Sequence, residues 1–202
     1  MDPEFSKEGF ISFRGYKVWY GIVGECEKPG KLPLLCLHGG PRAPHDYLEP
    51  IGATANTGRR VVFYDQLGSG NSDHPHKPEM WTVKLFMEEV GVVRQALGLK
   101  QVHLLGQSRG GMLAMEYALT KPSGLASLIV ADSSASMQQW IAETSRLRSE
   151  LPPPRCKEPY QHTSKLEQPT IPLMKKRRSY FTTATSADSI RGLNASNERM
   201  RS

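Results

Sequence analysis

The run of residues 104–111 (LLGQSRGG) constrains the fold most, because it joins an apolar segment to a helical pattern through Gly-x-Ser-x-Gly. Residues 101–105 have the apolar character of a buried strand, and apolar side chains recur at helical spacing over residues 112–119. A serine at such a strand-to-helix turn is exposed to a base and to main-chain N–H groups that can bind an oxyanion. The pattern predicts that Ser108 is a nucleophile. The alternative is a Gly-Ser turn without chemistry.

A second motif, residues 38–41 (HGGP), directly follows the apolar residues 34–37. A nucleophilic serine needs two N–H donors for the oxyanion, and a Gly-rich loop beside it supplies the second one. We therefore expect the main-chain N–H groups of Gly40 and Arg109 to form the oxyanion hole. Each donor of this kind raises the rate roughly a hundred- to a thousandfold.

The remaining pattern to about residue 150 alternates strands with helices. It predicts a hairpin that turns at Arg14-Gly15, strands at 34–37, 60–64 and 125–131, a helix over 47–55, and a longer helix that Thr82 caps and Gly98 ends. Near-continuous apolar strands separated by helices indicate an α/β fold. We expect a mostly parallel sheet with an N-terminal antiparallel hairpin and helices on both faces.

Three motifs together resemble the proline iminopeptidase family of serine aminopeptidases, within the α/β-hydrolase superfamily: residues 38–41 (HGGP), 64–72 (YDQLGSGNS) and 106–111 (GQSRGG). The resemblance covers roughly residues 8–152. It implies that residues 1–152 form the N-terminal part of an α/β-hydrolase domain, with the cap region missing or disordered.

Enzymes of this family release an N-terminal residue, typically proline, from peptides or amides through an acyl-enzyme, without metal or cofactor. The resemblance implies that Ser108 is the nucleophile and that Gly40 and Arg109 form the oxyanion hole. A small peptide or amino-acid amide is the expected substrate. Because the family's cap holds the substrate's free amine, the preference for proline comes from the resemblance alone.

Two positions depart from the family pattern. Arg42 stands where the family usually has Gly, and Arg109 stands where it usually has Trp. Arg109 retains its main-chain N–H, so the oxyanion hole is preserved in principle. Arg42 carries a Cβ that restricts the backbone angles open to Gly, and its cation would repel a charged peptide N-terminus if it faced the site.

The catalytic triad is incomplete by the family's order of Ser, acid and His. His38 precedes the serine and is expected to anchor its loop, while the only later candidates are Asp132, Asp188 and His162. A triad of Ser108, Asp132 and His162 keeps the order, but Asp132 is more simply a strand-end residue and His162 lies in a segment without periodicity. We expect this chain to lack the acid and base and to be inactive, since loss of the base costs about a millionfold in turnover. A non-catalytic remnant or binding protein is the alternative.

Charge separates the C-terminal segment from the rest. Lys plus Arg number 16 against 16 Asp plus Glu in residues 1–152, and 10 against 4 in residues 153–202. The segment has no sustained apolar pattern, which predicts a basic, disordered tail. Its cluster at 175–178 (KKRR) could contact nucleic acid. We rank nucleic-acid binding last, because one cluster with few nearby aromatic residues is a weak signal.

Codon degeneracy offers a sharper hypothesis for the tail. Triplets that start at the third base of each codon can encode TGAADDSAYEKA from residues 165–176 and FYHRHLCRLHTWPECLQRTYA from residues 180–201. Both strings resemble the aromatic-rich cap of proline iminopeptidase-like proteins. We therefore hypothesise that the residues after about Pro154 are an out-of-frame translation of the cap, which the coding DNA can test.

Cys26, Cys36 and Cys156 are odd in number and lack the paired spacing of metal ligands. Free thiols in a reducing compartment are the simplest interpretation. The N-terminal residues show no signal pattern, and no apolar run is long enough to span a bilayer. We expect a cytoplasmic protein that does not associate with membranes, and the oligomeric state stays open.

Overall fold

The computed structural model describes residues 4–40 and 43–150. The expected tail, residues 153–202, lies outside the described residues together with Arg42, Cys156, His162 and Asp188, so the hypotheses about them stay predictions. The chain divides into two units, residues 1–135 and 136–202. The sheet and the Gly-x-Ser-x-Gly turn belong to the first unit.

Six strands and their helices follow the predicted order. The strands are β1 (Lys7–Phe13), β2 (Tyr16–Val23), β3 (Leu34–Leu37), β4 (Val61–Tyr64), β5 (Val102–Gln107) and β6 (Leu125–Ala131). The α-helices are α1 (Val83–Ala96), α2 (Arg109–Leu119) and α3 (Met137–Glu150), and two 3₁₀ helices span Asp46–Thr57 and Pro78–Met80.

The strands form one sheet in the order β1-β2-β4-β3-β5-β6. The pairs β1–β2 and β2–β4 are antiparallel, whereas β3 is parallel to both β4 and β5, and β5 is parallel to β6. Arg14 and Gly15 make the hairpin turn, with φ angles of 52° and 82°. The predicted fold class, a mostly parallel sheet with an antiparallel N-terminal hairpin, is confirmed.

Side chains of the central strands alternate between two cores. Leu35, Val62 and Leu104 face the core that α1 and α2 cover, while Leu34, Val61 and Leu105 face a smaller core that includes Leu48 of the first 3₁₀ helix. Successive residues of a strand point to opposite faces, so a strand covered on both sides must be apolar throughout. The expectation of helices on both faces is therefore confirmed.

Helix α1 begins and ends where the sequence predicts. The Thr82 hydroxyl accepts a hydrogen bond from the Leu85 N–H at 3.1 Å, which satisfies a donor of the first turn. Gly98 follows the helix with a φ of 66°, a left-handed conformation that favours glycine. Phe86, Val90 and Val93 of the helix are buried in the core beneath it, and Leu97 at its end is partly buried there.

Two helices differ from the prediction or add to it, while strand β6 has the predicted bounds. The helix expected over 47–55 is a 3₁₀ helix with Pro50 inside it. Helix α3 was not predicted, although its half-buried residues recur at helical spacing: Met137, Trp140, Ile141, Thr144 and Leu147. Strand β6 has no buried residue, and Ile129 and Val130 are 43% and 40% exposed. Among the described helices, none combines the length and hydropathy that crossing a lipid bilayer requires.

Candidate active site

Ser108 lies at the turn between β5 and α2, with φ 54° and ψ −121°. A non-glycine residue rarely adopts a positive φ, so the surrounding structure must hold the turn in place. The Ser108 N–H donates to the Ala131 carbonyl at 2.9 Å, and the Ser108 carbonyl accepts from the Ser133 hydroxyl at 2.8 Å. Main-chain and side-chain groups at the end of β6 therefore hold Ser108 in this conformation.

Glycines allow helix α2 to sit directly on the ends of β3 and β5. A Cβ on Gly106 would lie 2.3 Å from the Gly110 carbonyl oxygen, and one on Gly110 would lie 2.2 Å from the Leu37 carbonyl oxygen. A Cβ on Gly111 would lie 1.9 Å from the Ser133 hydroxyl. These distances are far below van der Waals contact, so no larger residue fits without moving the backbone.

The loop after β3 touches the same turn. A Cβ on Gly39 would lie 2.8 Å from the Ser108 Cβ. Gly40 follows with a φ of 52°, and within residues 4–40 and 43–150 its N–H has no hydrogen-bond acceptor. Arg109 is the first residue of α2, at the positive end of the helix dipole. The three predicted site residues thus lie on two segments in direct contact, while their roles stay predictions.

His38 anchors its loop to the end of β4. Its Nδ1 donates to the Gly39 carbonyl at 2.9 Å, and its Nε2 accepts from the Gln66 N–H at 2.8 Å. The Gln66 side-chain amide donates a hydrogen bond to the His38 carbonyl at 2.7 Å. Burial lowers the pKa of His38 to about 4, so the imidazole is neutral near pH 7. This geometry agrees with the anchoring role expected for His38.

A second anchor, which sequence reasoning missed, holds the other end of that loop. The His45 N–H and the His45 Nδ1 each lie 2.9 Å from Asp65 Oδ1. Asp65 Oδ2 accepts from the Asn71 N–H at 2.8 Å, and Trp19 stacks on the imidazole with ring centroids 4.1 Å apart. Burial alone would raise the pKa of Asp65, but these hydrogen bonds outweigh it and lower the pKa.

Tyr47 bridges the loop and the turn, and sequence reasoning missed this as well. Its hydroxyl accepts a hydrogen bond from the Gly39 N–H at 2.5 Å and donates one to Gln107 Oε1 at 2.8 Å. The partners are 8 and 60 residues away in sequence. No pattern along the chain reports a contact between such distant positions.

The Arg109 side chain extends towards α1. Its guanidinium carbon lies 4.4 Å from the centroid of the Phe86 ring, within cation–π range. Glu89 is buried nearby and accepts from the Leu67 N–H at 2.8 Å. Burial raises the pKa of Glu89 to about 8, although the Leu67 N–H and the charge of Arg109 both act to lower it.

None of the five histidines among the described residues is hydrogen-bonded to the Ser108 hydroxyl. Asp132 follows β6 with an exposed side chain and a φ of 47°. His162 lies outside the described residues, so the triad of Ser108, Asp132 and His162 stays a prediction. The part of the chain that the structure describes also holds no group of three or more His, Cys, Asp or Glu side chains that could bind a metal ion.

The model of the α/β hydrolase fold family matches residues 33–152. The chain belongs to this family. It is an α/β hydrolase that is 44% identical over 146 residues to a proline iminopeptidase of Clostridium botulinum, and 42% identical over 142 residues to one of Lacticaseibacillus rhamnosus. These matches cover 72% and 70% of the chain but 50% and 48% of the relatives. The chain spans about half the length of the curated relatives it matches.

Two solved structures are also similar to this chain. The proline iminopeptidase of Mycobacterium smegmatis is similar with a TM-score of 0.68 and 36% identity, covering 92% of this chain and 58% of that protein. VinJ is similar with a TM-score of 0.71 and 35% identity, covering 95% of this chain and 60% of that protein. The resemblance to proline iminopeptidases that the three motifs indicated is confirmed.

Proposed function

We propose that Ser108 is the nucleophile of an acyl-transfer site of the proline iminopeptidase type. Its substrate would be a small peptide or amino-acid amide with proline or a similar residue at the N-terminus. The observation that carries the proposal is the Ser108 turn, held at φ 54° with the loop of Gly39 and Gly40 packed against it. The similarity to proline iminopeptidases supports the substrate class.

In this mechanism Ser108 Oγ attacks the carbonyl carbon of the scissile amide. The carbonyl oxygen becomes an oxyanion, and the main-chain N–H groups of Gly40 and Arg109 stabilise it. The C–N bond then breaks, the amine leaves with a proton, and water releases the acyl group from Ser108. The proposal assigns neither a metal nor a cofactor to these steps.

A general base is required to accept the Ser108 proton and to return it to the leaving amine. His38 and His45 cannot serve in the described geometry, because the ring nitrogens of His38 are bonded to its own loop and to Gln66, and His45 is bonded to Asp65. We expect the 202-residue chain to react at Ser108 slowly and to turn over no substrate by itself. Because both histidines are hydrogen-bonded to other groups, the geometry also favours the second candidate, a non-catalytic binding protein with an α/β-hydrolase core.

The decisive experiment compares the full chain with its Ser108→Ala variant. Hydrolysis of a prolyl chromogenic amide should be equal in the two proteins, whereas a fluorophosphonate probe should label the wild type alone. Equal labelling of both proteins would refute the nucleophile and leave the binding protein. Prolyl hydrolysis that Ser108→Ala abolishes would instead refute the expected inactivity, and loss of that activity in His162→Ala would identify the base.

Two further proposals concern the location of the protein and its partners. We infer a cytoplasmic location and no association with membranes from the sequence. Binding of nucleic acid through residues 175–178 is ranked last, and deletion of the residues after 151 tests it directly. If affinity for random duplex DNA survives the deletion, the cluster is not the contact.

A further inference from the structure

The geometry points to Tyr47 as a positioning residue that clamps the oxyanion loop to the nucleophile turn and leaves the Gly40 N–H as the loop's oxyanion donor. The inference rests on the proposed acyl-transfer function of Ser108, but the hydrogen bonds that carry it are independent of any substrate. Tyr47 lies on the first 3₁₀ helix, Asp46–Thr57.

The Tyr47 hydroxyl accepts a hydrogen bond from one segment and donates a hydrogen bond to another. It accepts from the Gly39 N–H at 2.5 Å, in the loop after β3. It donates to Gln107 Oε1 at 2.8 Å, on the residue that immediately precedes Ser108. Burial raises the pKa of Tyr47, so the phenol remains protonated and able to donate near pH 7. One oxygen atom therefore fixes the distance between the loop and the turn.

The clamp also decides which peptide group faces the reaction. Because the Gly39 N–H is bound to Tyr47, it is not available to an oxyanion. The next N–H along the loop belongs to Gly40, which has no acceptor within the described ranges. A φ of 52° at Gly40 redirects the chain at that point. By binding the Gly39 N–H, Tyr47 thus leaves the Gly40 N–H as the oxyanion donor of the loop.

The two histidine anchors do not duplicate this clamp. His38 binds its loop to the end of β4 through Gln66, and His45 binds it to Asp65. Neither histidine bonds to the Gly39 N–H or to the Gln107 side chain in the described residues. The histidines bind the loop at residues 38 and 45, while Tyr47 binds Gly39 to the residue that precedes Ser108.

The test removes the hydroxyl and keeps the ring, in Tyr47→Phe of the full chain. We expect the rate constant for labelling by a fluorophosphonate at saturating probe to fall about tenfold, with little change in the probe's half-saturating concentration. In this reaction Ser108 Oγ forms a bond to phosphorus, fluoride leaves, and the hydroxyl proton passes to solvent. The phosphonyl oxygen then occupies the oxyanion position.

A second readout is hydrogen exchange of the peptide that contains Gly39, measured by mass spectrometry. Exchange should be faster in Tyr47→Phe, because the Gly39 N–H has lost its acceptor. Tyr16→Phe is the matched control: it removes a hydroxyl from a half-buried tyrosine in the hairpin, away from the site, and should change neither readout. A Gln107→Met variant and the double variant complete a cycle, in which the labelling effects should be less than additive.

The outcomes separate the clamp from the proposed function. Labelling of Tyr47→Phe at the wild-type rate, or unchanged exchange at Gly39, overturns the clamp. A wild type that labels no better than Ser108→Ala overturns the proposed function instead, and exchange at Gly39 still decides the clamp. Additive effects in the cycle with Gln107→Met refute the bridge between loop and turn.

Discussion

Strands β3 and β6 have similar apolar sequences but very different surroundings. All four residues of β3 (LLCL) are buried, whereas none of the seven residues of β6 (LASLIVA) is. β3 lies between β4 and β5, while β6 pairs with β5 alone among the described strands. Hydropathy identifies a strand, but the strands beside it in the sheet determine how much of its surface is buried.

The difference matters because Ser108 depends on both strands. The glycines of α2 and the loop of Gly39 pack it against the end of β3, a central strand of the sheet. Its main chain is bonded to Ala131 and Ser133, at the end of the exposed strand. One side of the site is thus held by close packing and the other by hydrogen bonds beside a solvated edge.

The largest effect is expected where α2 meets β3. In Gly110→Ala the new methyl group would overlap the Leu37 carbonyl, so we expect the free energy of unfolding to fall by about 4 kcal/mol or more, with loss of fluorophosphonate labelling. Urea denaturation followed by circular dichroism measures the loss. Gly91→Ala is the control: nothing lies within 4 Å of its Cβ, and a helical Gly-to-Ala change should stabilise by about 0.5–1 kcal/mol. Equal stability of the two variants would contradict the contrast.

A direct comparison of the two kinds of strand comes next. Leu104→Ala removes a fully buried side chain from β5 and should cost about 2–5 kcal/mol. Ile129→Ala, on β6, should cost less than about 1 kcal/mol, because its side chain is 43% exposed. Denaturation midpoints at constant slope test both values. Similar costs would mean that β6 is covered in solution.

The smallest effect is a dependence of the free energy of unfolding on pH, which arises from the buried side chains of Glu89 and His38. The pKa of Glu89 is about 8 in the folded chain and about 4.5 ordinarily, so between these values only the folded state keeps the proton. Stability contributed by Glu89 therefore falls as pH rises. The pKa of His38, lowered from 6.5 to about 4, gives the opposite slope, but only below about pH 6.5.

The window from pH 6.5 to 8 therefore separates the effect of Glu89 from that of His38. In Glu89→Gln the decline of the free energy of unfolding across this window should be smaller than in the wild type by about 1–2 kcal/mol. Glu88→Gln is the matched control, since that neighbouring side chain is 38% exposed. A slope that survives in Glu89→Gln would show that another group titrates there.

The sequence was sufficient for much of the fold. Period-two and apolar patterns located the hairpin and the central strands, and Thr82 and Gly98 marked the ends of α1. The sequence analysis did not identify α3, which has a half-buried apolar face, or the 3₁₀ character of residues 46–57. The two failures differ in origin: the spacing of α3 is present in the sequence, whereas apolar spacing over a short segment does not distinguish a 3₁₀ helix from an α-helix.

For the candidate site, the sequence by itself determined the Ser108 turn and the loop motif, because only glycine fits where two backbone segments leave no room for a Cβ. Gly39, Gly106 and Gly110 carry that requirement in their identity. The tertiary structure alone decided that Tyr47 reaches both Gly39 and Gln107, and that His45 binds Asp65. These contacts join residues up to 60 positions apart, and their partners are set by how the strands are ordered in the sheet rather than by any local preference of the chain.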